Sequence, residues 1–471
     1  MICLVNLVAA ALAVTGVAGA DFNILQHLGG NAQWLPGPEV TDISSDIPVG
    51  CTVDLAAFFS RHGSRYPDPG AYNEWSDLHK RLQAAQDLNF TDAKLDFLKT
   101  WKPVLSHPER QISQLSPTGY KELHDMGATW RLRYPDLYEY NTPFTMWSNW
   151  YKSGPRVRDS ARLFAQGFLG PNATALTTIY ALNSSDPLSW MNSLATSDLC
   201  KAYADEGGSP YKDEWDAIYL PPIRSRLNAF IHGGFNFTQW DVSIIPYLCG
   251  FETQITGRRS PFCELFTEDE ILQYEYAQDL RYWYGNGLGS DIEKYQMVPV
   301  VEMVVQRFID GPNASYKTGN STFVPPNIMA AFSNDGQINQ IIAALGVFDT
   351  QEQLPANRTL PNRTFRASRL VPMRGTVAFE RLSCAAGTTN ATSQSYMRIR
   401  LNDVVYPVAK CTSGPGSSCP LAQYHAIIKS KLAEAGSFTK LCNTTDPSYS
   451  SEPRATFFMD NTLSYATVVK P

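Results

Sequence analysis

Apolar residues along the chain form two patterns that each predict a strand–loop–helix unit. In the first, a nearly continuous apolar run from Val53 to Phe59 predicts a buried strand that is covered on both faces. The segment RHGSRYPDPG interrupts this run with glycine and proline and predicts a loop at the carboxyl end of the strand. A helix is predicted next, because apolar residues recur at helical spacing at Trp75, Leu78, Leu82, Ala85 and Leu88.

A second unit of the same kind occurs late in the chain. Its apolar run, Ile328 to Phe332, is followed by a polar Asn-Asp-Gly segment and then by isoleucines and leucine at helical spacing. Gly346 is at the position where a helix commonly ends. Two such units predict an open α/β sheet with polar residues at the carboxyl ends of its strands, which is the edge where these sheets bind ligands.

The region between the two units has a different pattern. Residues 168–290 read as mainly helical, with proline-rich breaks such as YLPPIRSRLNAF. After Cys384, the segment YMRIRLNDVVYPVAKC alternates apolar and polar residues around an Asn-Asp turn and predicts strands. The predicted fold is α/β: an open α/β sandwich domain formed by residues 21–167 and 291–471, with an inserted mainly α-helical domain at 168–290, all boundaries being approximate.

The first twenty residues predict export of the protein. They lack charged side chains and end in Ala18-Gly19-Ala20, a pattern typical of a secretory signal peptide (residues 1–20) that is cleaved before Asp21. An N-terminal anchor is the alternative, but the run is short and no stop-transfer sequence follows. No later stretch is apolar enough to span a bilayer, so we expect a secreted protein that is not held in a membrane.

Composition and charge narrow the class of protein. The 471 residues are 44% hydrophobic and 12% aromatic, as in folded globular proteins. The net charge is −6 and no basic block is present, which argues against nucleic acid or an anionic membrane as a partner. Removal of the signal peptide would leave eight cysteines, a number suited to four disulfides in an oxidising compartment. No Cys-x-x-Cys pair occurs, so no zinc site is expected.

Asn-x-Ser/Thr sequons are unusually frequent in this chain. Together with the signal peptide they predict a heavily glycosylated surface. The ten sequons begin at Asn89, Asn172, Asn183, Asn236, Asn313, Asn320, Asn357, Asn362, Asn390 and Asn443.

The loop after the first strand carries the strongest chemical signal. Two guanidiniums, Arg61 and Arg65, match the oxygens of a phosphate group, and neighbouring cations favour a neutral His62 that can attack phosphorus. Arg156 precedes a predicted helix and could add a third cation near a helix N-terminus. An isolated Arg-His-Gly is commonly a surface loop, but here it lies within R-H-G-x-R-x-P directly after a buried strand.

With this motif the chain resembles the histidine acid phosphatases, branch 2 of the histidine phosphatase superfamily, and in particular secreted fungal acid phosphatases and 3-phytases. The similarity extends from about Cys51 to Phe458 and includes LPPIRSRLNAF, FTEDEILQYEYAQDLRYWYGNGLGS and CTSGPGSSC. The resemblance implies a phosphohistidine mechanism without metal or other cofactor. It assigns His62 as the nucleophile, Arg61, Arg65 and Arg156 as phosphate ligands, and small-molecule phosphate monoesters as substrates.

The resemblance also implies the disulfide pairing. From the residues alone, only the short loop between Cys411 and Cys419 would be a fair assignment. The implied pairs are Cys51–Cys384, Cys200–Cys442, Cys249–Cys263 and Cys411–Cys419.

The chain departs from the family at its second signature, a His-Asp pair at a strand end. Here Asn334 takes the place of the histidine that helps to bind phosphate, and Asp335, the residue that protonates the leaving oxygen, is kept. An amide can still donate a hydrogen bond, and the loss of one charge costs on the order of 1 kcal/mol, or roughly tenfold in rate. Asp335 could also serve simply as a helix N-cap, a role compatible with catalysis. Because it must be protonated to act, an acidic optimum is expected.

Two rival functions remain open at this point. Asn334 could mark a pseudophosphatase that binds a phosphorylated ligand without turnover, although such a protein needs neither His62 nor Asp335. A structural cell-wall protein would leave the arginines unexplained. Among substrates, the acidic residues of DPGAYNEWSD favour a broad phosphomonoesterase over a dedicated phytase. The oligomeric state has no sequence signal.

Other candidate residues have simpler interpretations. His124-Asp125 lies in a helical pattern and is expected on a helix surface, and GNGLG (285–289) follows a helical pattern and is expected to end it. Glu275 could face the substrate pocket, by resemblance, or be an exposed helix residue. The other histidines are expected to be structural or on the surface: His27, His79, His107, His232 and His425.

Overall fold

The computed structural model describes residues 22–36, 41–150, 154–385 and 393–470. The predicted signal peptide at 1–20, the cleavage position before Asp21 and the sequon at Asn390 lie outside these residues. The strands are β1 (Cys51–Arg61), β2 (Asn89–Phe90), β3 (Phe144–Asn149), β4 (Thr177–Leu182), β5 (Ile231–His232), β6 (Tyr316–Thr318), β7 (Ser321–Phe323), β8 (Ile328–Ser333), β9 (Thr376–Cys384), β10 (Gln394–Leu401), β11 (Val404–Tyr406), β12 (Cys419–Pro420) and β13 (Ala466–Val469).

Helices surround the strands. The α-helices are α1 (Pro69–Ala84), α2 (Pro108–Gln111), α3 (Pro117–Arg133), α4 (Arg156–Leu169), α5 (Ala173–Leu176), α6 (Ser209–Asn228), α7 (Gln239–Thr256), α8 (Glu268–Asn286), α9 (Glu293–Gln296), α10 (Val298–Asp310), α11 (Asp335–Ala344), α12 (Ala367–Leu370), α13 (Leu421–Ala435) and α14 (Phe438–Leu441). In the described part of the chain, no helix is both long and apolar enough to cross a membrane.

A mixed sheet forms the centre of the molecule. Its strand order is β11-β10-β9-β1-β8-β3-β4-β13, with β12 pairing with β10. Strands β1, β8, β3 and β4 are parallel to their neighbours in that series, whereas β9 runs antiparallel to β1. The predicted α/β class is confirmed, and both predicted strand–loop–helix units are present, although α1 ends at Ala84, before the predicted helix positions Ala85 and Leu88.

Strand β1 is buried on both faces, as its continuous apolar run predicts. Ala56 and Phe58 belong to a core with α3 and α4 on one side of the sheet. Leu55, Ala57 and Phe59 belong to the larger core on the other side, which extends into helices α6 to α8. Successive side chains point to opposite faces of a strand, so one run of apolar residues anchors both layers.

Two details of the predicted inserted domain are wrong. Its start at residue 168 is too early, because β4 pairs with β3 inside the central sheet. The Pro221-Pro222 pair does not break a helix either: α6 continues through both prolines. Its buried side chains, including Trp215, Tyr219 and Ile223, belong to the larger core, and this tertiary packing outweighs the local cost of proline.

The helical layer also recruits residues from before the central region. Trp75 of α1 packs edge-on against Tyr247 and Phe251 of α7, and β2 pairs with β5. Helices α6 to α8 therefore form one layer with α1. This contact is between segments far apart in sequence, and no local pattern reveals it.

Four disulfides are present, with the pairing that the resemblance implies. Three of them are Cys51–Cys384, Cys200–Cys442 and Cys249–Cys263. The fourth, Cys411–Cys419, closes a short loop. Strands β10 and β11 flank Asn402 and Asp403, both with positive φ, so the predicted Asn-Asp turn is confirmed.

Candidate active site

The pairing of β1 with β8 brings the two signature segments together. In this parallel pair Arg61 lies opposite Ser333, so His62 and Asn334 follow side by side at the carboxyl edge of the sheet. The backbone N–H of His62 donates to the carbonyl oxygen of Ser333 over 3.1 Å. The sheet register thus assembles a site from residues that are more than 270 positions apart, at the edge where such sheets bind ligands.

His62 is held as a neutral imidazole, and within the described residues only one of its ring nitrogens makes a hydrogen bond. It is 1% exposed, and its Nδ1 lies 2.9 Å from the carbonyl oxygen of Gly63. A carbonyl only accepts hydrogen bonds, so Nδ1 carries the proton and Nε2 keeps its lone pair. Burial and the charges of three nearby arginines lower the pKa of His62 well below 6.5, which keeps the ring neutral in acid.

Arg61, which precedes the histidine in the chain, is a buried cation held by several contacts. Its Nη1 donates to the carbonyl oxygens of Gly30, at 2.5 Å, and Val371, at 2.7 Å. Its Nη2 lies 3.4 Å from a carboxylate oxygen of Asp335. These contacts fix the guanidinium in one orientation. Two of the three acceptors are neutral carbonyl groups, so the guanidinium keeps positive charge at the end of β1.

Arg65 and Arg156 are two further cations of the site, and they lie close together. Arg65 is in the loop after β1, and Arg156 is the first residue of α4, as predicted. Asp68 bridges them: its carboxylate is 2.7 Å from Arg65 Nη2 and 3.7 Å from Arg156 Nη1. Burial and the neighbouring Arg65 lower the pKa of Arg156 to about 10. Two guanidiniums share the single negative charge of Asp68, and Arg156 lies at a helix N-terminus. The remaining positive charge makes a strong site for an anion.

Asp335 is the first residue of α11, and Asn334 occupies the N-cap position. The hydroxyl of Tyr282 donates to Asp335 over 2.6 Å. Burial alone would raise the pKa of Asp335, but the charge of Arg61, the Tyr282 hydrogen bond and the charge of Arg281 together lower it below its usual range. The predicted Asp335 N-cap is wrong by one position, and among the described residues Asn334 makes no capping hydrogen bond through its side chain.

These side chains line one cavity of about 430 Å³. The cavity is bordered by His62, Arg65, Arg156, Asn334 and Asp335. Arg61 does not line the cavity but forms an ion pair with Asp335. Further lining residues are Asp68, Gly154, Val157, Asp198, Tyr203, Asp205, Arg281, Gly336 and Gln337.

Sequence reasoning missed the wall contributed by the central region. Asp198, Tyr203, Asp205 and Arg281 come from segments that carry no recognisable catalytic motif. Arg281 is on α8, within FTEDEILQYEYAQDLRYWYGNGLGS, where it has the pattern of an ordinary polar position of a helix. Only the folded arrangement brings α8 to the end of β8.

Close packing of α3 supports the motif loop, residues 62–65. A Cβ atom at Gly119 would lie 2.0 Å from the Ser64 carbonyl oxygen, and one at Gly63 would lie 2.3 Å from a methyl carbon of Leu123. Both positions therefore require glycine. The helix backbone thus comes into direct contact with the loop that carries the histidine.

The remaining candidates lie elsewhere. His124 and Asp125 are exposed on α3, with side chains 55% and 54% accessible, as predicted. The GNGLG segment ends α8, also as predicted. Both interpretations of Glu275 are wrong: it is fully buried and pairs with His27, Arg363 and Arg366 instead of facing the cavity.

The predicted glycosylation positions are accessible where the structure describes them. Asn183 is partly buried, and the others are exposed on short turns, helix ends and strand edges. The exposed positions are Asn89, Asn172, Asn236, Asn313, Asn320, Asn357, Asn362 and Asn443.

A buried histidine with arginines around it at the carboxyl edge of an α/β sheet is an arrangement suited to an anionic ligand. The model of the histidine phosphatase superfamily (branch 2) matches residues 52–402, and the chain belongs to this family. It is 30% identical to an acid phosphatase of Komagataella pastoris, covering 94% of this chain and 91% of that protein. It is 27% identical to a phytase of Candida albicans, covering 93% and 90%.

The fold is similar to a solved structure as well. The crystal structure of the phytase from D. castellii superimposes with a TM-score of 0.81 at 24% identity, covering 95% of this chain and 94% of that one. This similarity confirms the fold. Membership of the family and the named acid phosphatase and phytase relatives make the protein a phosphoric monoester hydrolase of the acid phosphatase or phytase type.

Proposed function

We propose that the protein is a secreted acid phosphatase that hydrolyses phosphate monoesters through a phosphohistidine at His62. The observation that carries the proposal is the buried His62, whose Nδ1 is bonded to the Gly63 carbonyl oxygen and which shares a cavity with Arg65 and Arg156. The four disulfides and the predicted signal peptide support secretion.

The reaction has two steps. The lone pair of His62 Nε2 attacks phosphorus, the bond to the ester oxygen breaks, and Asp335 gives its proton to the departing alcohol. Water then attacks the phosphohistidine, and Asp335, now a carboxylate, accepts a proton from it. The P–N bond breaks, phosphate leaves and His62 returns to its neutral form.

The arginines stabilise charge on the transferring group. Arg65 and Arg156 border the cavity, and the carboxylate of Asp68 holds both guanidiniums, at 2.7 Å from Arg65 Nη2 and 3.7 Å from Arg156 Nη1. Donors that are fixed before substrate arrives need no reorganisation when negative charge develops on the phosphoryl oxygens. Arg61 supports the same charge from behind Asp335.

Asp335 must change protonation during the cycle. In the free site, Arg61, Tyr282 and Arg281 hold its pKa low, so it is a carboxylate. A bound phosphate monoester brings negative charge next to Asp335 and compensates Arg61, which raises the pKa of the carboxyl group. Substrate binding in acid therefore supplies the proton donor.

The cavity favours simple monoesters over phytate. Besides the arginines it is lined by Asp68, Asp198 and Asp205, and these carboxylates repel a ligand that carries several phosphates. A single phosphoryl group with a neutral or cationic leaving group meets no such repulsion. We therefore propose a broad phosphomonoesterase, with phytate a poorer substrate.

Phosphate release by the purified protein tests the proposal. We expect turnover of an aryl phosphate in acid, a lower rate with phytate, and at least about 10³-fold loss in His62→Ala, because the covalent route disappears. Asp335→Asn should slow alkyl phosphates more than aryl phosphates, because alkyl leaving groups depend more on the proton.

Asn334 supplies the observation that favours a second function, a pseudophosphatase that only binds a phosphorylated ligand. Its neutral amide borders the cavity where the family has a charged donor. Phosphate binding without turnover on either substrate would establish this second function. Turnover that persists in His62→Ala would contradict the phosphohistidine route.

A further inference from the structure

Every backbone polar group from the N–H of His62 to the carbonyl of Ser64 has a partner. The His62 carbonyl accepts from the Arg374 N–H at 2.8 Å, and the Gly63 carbonyl accepts from His62 Nδ1. The Gly63 N–H donates to the Ser160 hydroxyl at 3.2 Å. The loop is therefore held by contacts from outside as well as by the end of β1.

One carboxylate makes the most contacts to this loop. Glu122 of α3 accepts from the Ser64 N–H at 2.7 Å through Oε2 and from the Ser64 hydroxyl at 2.9 Å through Oε1. Its Oε1 also accepts from the backbone N–H of Trp34 at 3.0 Å. Three donors converge on one side chain. Burial raises the pKa of Glu122, and the hydrogen bonds from Ser64 and Trp34 oppose this rise because they favour the carboxylate.

The position of Glu122 is set by the close contact of α3 with the loop. Gly119, one turn earlier on the same helix, lies against the Ser64 carbonyl, which in turn accepts from the Ser116 N–H at 2.9 Å. Trp34, the third donor, stacks under Arg374 at 3.8 Å, and it is the Arg374 N–H that binds the His62 carbonyl. Glu122 thus joins α3, the N-terminal segment and the motif loop.

We propose that Glu122 is a positioning residue for the phosphoryl transfer, acting through Ser64. Ser64 lies between the nucleophile and Arg65, so its two bonds to Glu122 set the direction in which the chain leaves His62 and presents Arg65. Glu122 is absent from the cavity lining and does not contact the reacting atoms. A shift of about 1 Å at reacting groups can cost on the order of a hundredfold in rate.

Substitutions at position 122 separate the charge from the geometry. Gln keeps an oxygen for the Ser64 N–H and an NH₂ for its hydroxyl but loses the acceptor for Trp34; Ala loses all three contacts. We expect kcat per active site to fall by about threefold to tenfold in Glu122→Gln and by about a hundredfold in Glu122→Ala. KM should change by less than kcat.

Two further variants serve as comparisons. Ser64→Ala removes only the hydroxyl contact, and we expect its effect in the Glu122→Ala background to be much smaller than in the wild type, because the two residues form one unit. Asp125→Asn, at an exposed position one turn from Glu122, should retain wild-type kcat.

Active sites are counted by calorimetric titration with inorganic phosphate, so that kcat refers to folded sites. A lower phosphate stoichiometry with unchanged kcat per site would show that Glu122 only supports folding and would overturn the proposal. Equal kcat in Glu122→Ala and the wild type would also overturn it. The role of Glu122 rests on the proposed function. Wild-type protein that binds phosphate without turnover would refute the proposed function and not the role of Glu122. In that case, weaker phosphate binding (a higher Kd) in Glu122→Ala would still support the positioning of Arg65.

Discussion

Asn334 stands where the resemblance to the histidine acid phosphatases implies a histidine. The side chain of Asn334 borders the cavity beside His62, and its Oδ1 is buried with no hydrogen-bond partner within the described ranges. An amide oriented in this way offers its NH₂ group to a phosphate oxygen. The geometry of a donor is retained, and its positive charge is lost.

Restoring the charge should therefore increase activity. We expect Asn334→His to raise kcat/KM for an aryl phosphate about tenfold in acid, since a charged donor replaces a neutral one. The gain should disappear as pH rises towards about 6.5, where imidazolium loses its proton, and earlier if the nearby arginines lower the pKa of the new histidine. Initial rates across this range test the prediction.

Asn334→Ala provides the matching control. It removes the donor entirely, and kcat/KM should fall at every pH. If His and Ala at position 334 both leave kcat/KM unchanged, this residue does not contact the phosphate.

At the scale of elements, the short helix α9 places a carboxyl group in an unfavourable environment behind the site. Glu293 is 2% exposed and accepts a hydrogen bond from Gln340 of α11, while its second oxygen has no partner in the described residues. Burial, opposed by the Gln340 bond and reinforced by Asp205, raises the pKa of Glu293 to about 8. The folded protein therefore keeps this group protonated.

This pKa makes stability depend on pH. The folded pKa lies above the usual 4.5, so the folded state carries no penalty in acid and loses stability as pH rises from about 4.5 to 8. Glu293→Gln, which cannot ionise, should gain stability relative to wild type on the order of 1 kcal/mol per pH unit over that interval. Thermal unfolding at several pH values measures it.

An exposed glutamate gives the control for this comparison. Glu434→Gln, on the surface of α13, should leave the pH dependence of Tm unchanged. A Glu293→Gln variant whose Tm parallels the wild type at every pH would contradict the raised pKa.

At the scale of the whole molecule, the cavity joins segments that are remote in sequence. The wall that contains Asp198, Tyr203 and Asp205 lies next to Cys200, whose disulfide to Cys442 spans 242 residues. Gln296 also donates to this sulfur pair. The disulfide thus links one wall of the cavity to the C-terminal part of the chain.

Removal of this disulfide should affect both stability and substrate binding. We expect the double variant Cys200→Ser, Cys442→Ser to lose about 2–5 kcal/mol of unfolding free energy, because a long loop is released in the unfolded chain. KM should rise as the wall loosens. Denaturant titration and steady-state kinetics test the two parts.

The short disulfide is the natural comparison. The double variant Cys411→Ser, Cys419→Ser opens a disulfide loop with a sequence separation of only 8, and this loop does not line the cavity. The variant should therefore lose less stability than the Cys200–Cys442 variant and keep the wild-type KM. An equal rise in KM in both double variants would mean that the Cys200–Cys442 link does not support the wall.

Local patterns in the sequence were sufficient for the parts of this protein that depend on neighbouring residues. The apolar run of β1, the loop that breaks it and the unit around β8 are visible because strand burial and chain breaks follow from adjacent side chains. Arg61, His62 and Arg65 lie within one short stretch of sequence at the end of β1, so their chemistry could also be inferred. The Asn-Asp turn between β10 and β11 belongs to the same group.

Other features depend on contacts between distant segments, and these could not be inferred from local pattern. Arg281 and Tyr203 enter the cavity, and Glu275 becomes a buried partner of His27, only because the helical layer folds against the sheet edge. The membership of β4 in the sheet and the continuation of α6 through two prolines have the same origin. In these cases the free energy gained by tertiary packing exceeds the local secondary-structure preference of the residues. The sequence pattern near each residue reflects only that local preference.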